Sequence, residues 1–178
     1  MTSRNEAIRR LGLAALALGM LAFADEARAS ERKGFIFGVA VGGGGIKCDD
    51  CESMNGPASA LYLGGMVTDK LAIVVDGSGI LKTEDDVDLT SIVSGIAAQY
   101  WVSPRVWVKG GVGAGQLGVS SGKVSETSDL GLGFLGGAGV EIVQKKKFTL
   151  DLQVRFTTAK IEGDRVNNVS ALFGFNLN

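Results

Sequence analysis

Apolar and polar side chains alternate without a break from Phe148 to Thr157. Phe148, Leu150, Leu152, Val154 and Phe156 fall on one face, and Thr149, Asp151, Gln153, Arg155 and Thr157 on the other. A period of two predicts a β-strand with one greasy face and one polar face. Looser versions of the pattern extend along the chain and predict eight strands, at 34–43, 58–67, 71–81, 87–102, 106–118, 130–143, 148–158 and 166–177. No helical periodicity competes. The connections alternate in length. Turns 68–70, 103–105 and 144–147 are short, loops 44–57 and 119–129 are long, and loops 82–86 and 159–165 are intermediate. Short turns at one end and longer loops at the other fit a membrane barrel with its short turns in the periplasm. An even number of strands puts both ends of the chain on that side.

Alternation alone does not say which face meets water, because a soluble barrel with an apolar core has the same period. The composition of the second face separates the two. In 130–143 it carries Gly131, Gly133, Leu135, Gly137, Gly139 and Glu141, and in 106–118 it carries Trp107, Lys109, Gly111, Gly113, Gly115 and Leu117. A surface in water carries more charge than this. A narrow lumen needs small residues and a few paired polar ones, since an eight-stranded interior is only wide enough for side chains to fill it. The predicted fold is therefore all-β, an eight-stranded antiparallel up-and-down transmembrane β-barrel. Tyr100, Trp101, Trp107 and Phe148, all near short turns, are candidates for an aromatic girdle at the membrane interface.

The chain start supports export. Arg4, Arg9 and Arg10 precede an apolar run from Leu11 to Ala24, and Ala27-Arg28-Ala29 has the small-x-small form of a cleavage site. The run is shorter than the roughly 20 apolar residues of a spanning helix, so residues 1–29 are expected to be a signal peptide and 30–178 a single barrel domain. The 178-residue chain has 27 glycines but only two prolines, which argues for crowded strands and bends rather than a disordered linker. Its formal net charge of −1 leaves no electrostatic footprint for nucleic acid.

Several segments resemble the small eight-stranded outer-membrane β-barrel proteins of Gram-negative bacteria, in particular a Gly-rich group with Cys-x-x-Cys in the first loop. They are Gly34-Phe35-Ile36-Phe37-Gly38, Cys48-Asp49-Asp50-Cys51, Ala98-Gln99-Tyr100-Trp101 and Val108-Lys109-Gly110-Gly111-Val112-Gly113. The resemblance implies an outer-membrane location, contact with outer-membrane lipid and lipopolysaccharide, and handling by the barrel-assembly machinery, but no agreed activity. Such barrels typically end on an aromatic residue that the assembly machinery reads. Here Ala171, Phe173, Phe175 and Leu177 alternate properly, but Asn178 follows.

The chemistry-bearing candidates are few. Cys48 and Cys51 flank two aspartates. In an exported chain a disulfide is the first reading, with a metal or other ligand site and a redox pair as alternatives. A zinc site usually needs four ligands, and the thioredoxin-like context of a redox pair is absent. The second constellation is a lumen polar network of Asp76, Gln99, Lys109, Glu141, Asp151 and Arg155, inward by parity. Hairpin arithmetic sets Gln99 opposite Lys109 and Glu141 near Asp151, and strand adjacency suggests Lys109 lies close to Glu141. These charges read either as a proton or ion path or as paired filling of a closed lumen. Gly42-Gly43-Gly44-Gly45 has no following Lys-Ser/Thr to make a phosphate cradle. The chain has no histidine, which removes most His-based general-base and nucleophile arrangements. No cofactor or catalytic residue is expected. Three roles follow: a structural or surface-interaction barrel with a packed, non-conducting lumen, a narrow pore or transport helper, and a soluble exported barrel holding an apolar ligand.

Overall fold

A computed structural model describes residues 32–48, 53–84, 87–121, 124–161 and 163–177. The expected leader lies outside the described residues. So does Cys51, and with it the expected Cys48–Cys51 bridge.

Nine antiparallel strands follow in order: β1 (Phe35–Cys48), β2 (Met54–Thr68), β3 (Leu71–Glu84), β4 (Val87–Trp101), β5 (Val106–Ser121), β6 (Val124–Thr127), β7 (Gly131–Gln144), β8 (Phe148–Ile161) and β9 (Asp164–Leu177). Each long strand pairs with its sequence neighbours, and β1 pairs with β9, so eight staves close a barrel. Closure leaves none of these eight with an unpaired edge. The β1–β9 seam runs from Phe37 opposite Leu177 to Cys48 opposite Val166, which places both ends of the barrel chain at the end with the short turns.

The ninth strand is a correction to the expected long loop at 119–129. β6 pairs with the top of β5, from Gly118 opposite Thr127 to Ser121 opposite Val124. It continues the line of β7, whose pairing with β5 resumes at Gly115 opposite Gly131. The break between them is held by Ser128. Its amide donates to the Leu117 carbonyl at 2.8 Å, and its hydroxyl accepts from the Leu117 amide at 3.0 Å. One serine thus stands in for the ladder where an extra residue interrupts it. The long and intermediate loops shrink for the same reason, since β1, β3, β5 and β8 run on to Cys48, Glu84, Ser121 and Ile161. The asymmetry between the two ends therefore lies in strand length rather than loop length. On β8 the outward residues stay apolar from Phe148 to Phe156 and then change to Thr158 and Lys160. About 9–11 tilted residues cross a bilayer, so the last turns of the 14–16-residue strands stand beyond the apolar band at the loop end.

The wall is apolar outside. Val41, Leu61, Val75, Ile96, Val112, Leu132, Leu152 and Phe173 on eight different strands are all 45% or more exposed. A continuous band of this kind is far larger than the apolar patches of soluble monomers, so the soluble-barrel reading is set aside. The aromatic girdle is only partly as expected. Tyr100 faces outward at 45% exposure, and Phe148 stacks on Phe175 with ring centroids 5.7 Å apart. Trp101 and Trp107 instead face each other across the β4–β5 hairpin and point into the lumen, 4% and 1% exposed. Strand parity forces this, because each is one residue out of phase with its outward-facing neighbour.

Candidate functional site

The lumen is layered along the barrel axis. Nearest the loop end is an apolar cluster that includes Ile46, Ile80, Val93, Ile161, Val166 and Leu172, with Cys48 packed against it. Nearer the turn end is a second cluster, built around Ile36, Tyr62, Val74, Trp101 and Trp107. The charged residues lie among and between these layers, where strands β3, β5 and β8 direct Asp76, Lys109 and Arg155 inward.

Asp76 is the hub. Its Oδ2 accepts from Lys109 Nζ at 2.7 Å and Arg155 Nη2 at 3.0 Å, and its Oδ1 from Arg155 Nη1 at 2.6 Å. The arginine contact is the bidentate fork that makes charge-assisted hydrogen bonds strong and directional. All three side chains are 5% exposed or less. From there the network passes along β8. Arg155 Nε donates to Gln153 Oε1 at 2.7 Å, and Gln153 Nε2 to Asp151 Oδ1 at 3.0 Å. Asp151 Oδ2 also accepts from Asn176 Nδ2 at 3.0 Å and Trp107 Nε1 at 3.2 Å. Asn176 Oδ1 accepts the Tyr62 hydroxyl, and Lys109 Nζ sits 3.6 Å from the Tyr62 ring centroid, so a cation–π contact adds to the lysine's ion pair. Two cations and two carboxylates are linked in this way, and every one of those charges has a donor or acceptor in reach.

A second group closes the turn end. Arg32, just before β1, donates through Nη2 to Glu141 Oε2 at 2.9 Å and to the Pro104 carbonyl at 2.7 Å. Its guanidinium carbon lies 4.7 Å from the Trp101 ring centroid. Glu141 also accepts from Trp101 Nε1 and Gln144 Nε2, each at 2.6 Å.

The structure brings Asp76, Lys109, Asp151 and Arg155 into one connected network, while Glu141 belongs to the separate Arg32 group. Gln99 is opposite Lys109 and Glu141 opposite Asp151 in register. The expected closeness of Lys109 and Glu141 is corrected. Lys109 is opposite Gly137, and Glu141 donates its backbone amide to the Arg105 carbonyl, four residues down the strand. Adjacent strands share a neighbourhood only at matching heights, and these two differ. Gln99 stays outside the network, buried with its Oε1 lacking a hydrogen-bond partner. Arg32, Tyr62, Gln153 and Asn176 belong to these two groups and were not singled out by the sequence reading. Parity on their strands marks the last three as inward, whereas Arg32 precedes any periodic segment.

Glycine makes room for the larger side chains. A Cβ on Gly139 would overlap the Trp107 indole, and one on Gly38 would overlap Tyr62 and Asn176. A cavity of about 10 Å³ lies between Ser78, Arg155, Thr157, Asn168 and Ser170, room for about one water. Among the described residues no group of three or more His, Cys, Asp or Glu is placed to hold a metal ion.

Comparison with known proteins agrees with this architecture. The family model of the outer membrane protein beta-barrel domain matches residues 13–178. The structure is similar to Neisserial surface protein A at 17% identity and a TM-score of 0.65, covering 80% of this chain and 96% of that one. It is also similar to Ail, the attachment invasion locus protein of Yersinia pestis, solved in complex with the heparin analogue sucrose octasulfate. That match has 14% identity and a TM-score of 0.58, and covers 81% of this chain and 99% of that one. At such identities these likenesses speak for the fold alone. Among curated protein sequences nothing matches. The family match spans nearly the whole chain and agrees with a closed barrel, apolar outside and polar within: the chain belongs to the outer membrane protein beta-barrel domain family and resides in the outer membrane.

Proposed function

We propose that the protein is a non-enzymatic outer-membrane barrel with a structural or surface-interaction role and a packed, non-conducting lumen. The observation that carries this reading is the Asp76–Lys109–Arg155 cluster, whose members reach from three strands to meet inside the barrel at 2.6–3.0 Å. Ions pass where charges line water, and here the charges satisfy one another instead. A chain without histidine, whose lumen carboxylates are engaged with donors, offers no evident general base. The working surface is then the loop end, raised on strands that outrun the apolar band, where lipopolysaccharide and partners in the surroundings are met. We propose that Cys48 and Cys51 pair as a disulfide, and that the outward Phe173, Phe175 and Leu177 serve the barrel-assembly machinery during insertion.

Lys109→Ala tests the lumen directly. The variant is expected to fold with a stability loss of about 1–3 kcal/mol, because Asp76 keeps its arginine, and to show no single-channel conductance in planar bilayers, like the parent. Discrete conductance steps in the parent, or a clear rise in the variant, would favour a narrow pore.

A further inference from the structure

We propose that Lys47, Lys160 and Arg165 form a binding site for the phosphates of lipopolysaccharide in the outer leaflet. The proposal rests on the outer-surface reading above. All three side chains point outward and are exposed at the loop ends of β1, β8 and β9, three adjacent strands. Lys160 is directly opposite Arg165. Lys47 is opposite Asn167, two residues along β9 from Arg165. Side chains directly opposed on one face are about 4.5–5.5 Å apart at Cβ, and diagonal ones about 7–8 Å, so one phosphate can reach all three.

Two features point to an anionic ligand at this height. Like charges placed directly opposite one another destabilise a strand pair, and among the described residues no carboxylate is paired with any of the three. The cluster also sits where the outward face changes character. Phe156 and Val169, 46% and 53% exposed, lie toward the turn end on the same strands, whereas Thr158, Lys160, Arg165 and Asn167 lie beyond them. Cations at that boundary meet headgroups rather than acyl chains or bulk water. The neighbouring wall suits the rest of such a lipid. Toward the turn end on the same three strands, Val41, Phe156 and Val169 stand exposed as an apolar wall. Phosphate on the cations and acyl chains along this wall are the two halves of a phosphorylated glycolipid.

The test is the temperature at which the folded, faster-migrating gel form is lost, measured for the full chain in phosphatidylcholine vesicles with and without added lipid. Diphosphorylated lipid A is expected to raise this midpoint, dephosphorylated lipid A to leave it near the phosphatidylcholine value, and high salt to shrink the rise. The Lys47→Gln, Lys160→Gln, Arg165→Gln triple variant is expected to fold with a midpoint in phosphatidylcholine at or slightly above the parent's, because the opposed pair is relieved, and to lose the rise. Lys160→Gln alone, which relieves the opposed pair, should lose part of it. Absence of any rise for the parent, or a full rise in the triple variant, overturns the site. An equal rise with phosphatidylglycerol overturns the assignment to lipopolysaccharide in favour of a general anionic surface. None of these outcomes depends on conductance, which judges the packed-lumen reading separately.

Discussion

Asp76→Ala is expected to be the most damaging truncation of any lumen side chain, costing about 3–5 kcal/mol. The aspartate is the shared acceptor of Lys109 and Arg155. Removing it leaves two cations side by side within a wall that is lipid on its far side. Removing Lys109 instead leaves a bidentate pair intact, so Asp76→Ala should cost clearly more than Lys109→Ala although they break the same cluster. Equilibrium unfolding in urea, with the protein folded into vesicles, measures both. The mechanism makes a second demand. If the damage comes from stranded charge rather than lost volume, Asp76→Ala combined with Lys109→Met and Arg155→Met should recover much of the loss, as well-packed apolar residues often replace buried ion pairs without penalty. A loss below about 1 kcal/mol for Asp76→Ala would mean that water reaches the cluster and screens it.

Gly139→Val is the second large effect, and it tests the lumen as a packed solid. Gly139 is opposite Trp107, which is 1% exposed, and a Cβ there would overlap the indole ring. The ring has no easy retreat. Its Nε1 is bonded to Asp151 at 3.2 Å, and Lys109 Nζ lies 5.2 Å from its centroid. Forcing it aside combines an overpacking cost of about 1–3 kcal/mol with an orphaned indole donor worth about 1–3 kcal/mol. Gly110→Val is the control. A Cβ at Gly110 meets nothing within 4 Å, and its neighbours Trp107 and Lys109 on the other face are undisturbed. The expected result is a midpoint of heat-modifiable migration lowered sharply for Gly139→Val and unmoved for Gly110→Val. Equal behaviour of the two would show that lumen crowding does not limit stability.

The apolar band was legible in the sequence because lipid on one face and side chains on the other enforce a strict period of two, as on β8 from Phe148 to Thr157. Legibility fails where that constraint ends. Beyond the band the outward face is no longer apolar and the alternation weakens, so little in Gly43-Gly44-Gly45 or Val119-Ser120-Ser121 distinguishes a strand from a loop, and the hydrogen-bond ladder carries β1 and β5 onward. Parity identifies which residues enter the lumen but not at what height they meet. Lys109 therefore appeared to neighbour Glu141, whereas the stagger of the strands delivers it to Asp76, two strands away in the closed sheet. Trp101 and Trp107 show the same limit. Their closeness to a turn resembles a girdle, but their phase places them indoors. Arg32 gave no signal, because a residue ahead of the first strand takes its place only once the wall formed by β4 and β7 exists.

The seam between β1 and β9 has a further consequence for how the molecule could be rebuilt. Phe37 and Leu177 are opposed at the same end as the turns 69–70, 102–105 and 145–147. Geometrically the barrel is a ring of eight hairpin arms with one connection left open. A linker of a few residues across that gap would complete the ring, and the polypeptide could then be opened at any other turn without changing a single strand partner. The wall has no intrinsic first strand, so the order in which its staves are synthesised is a property of the gene rather than of the folded barrel.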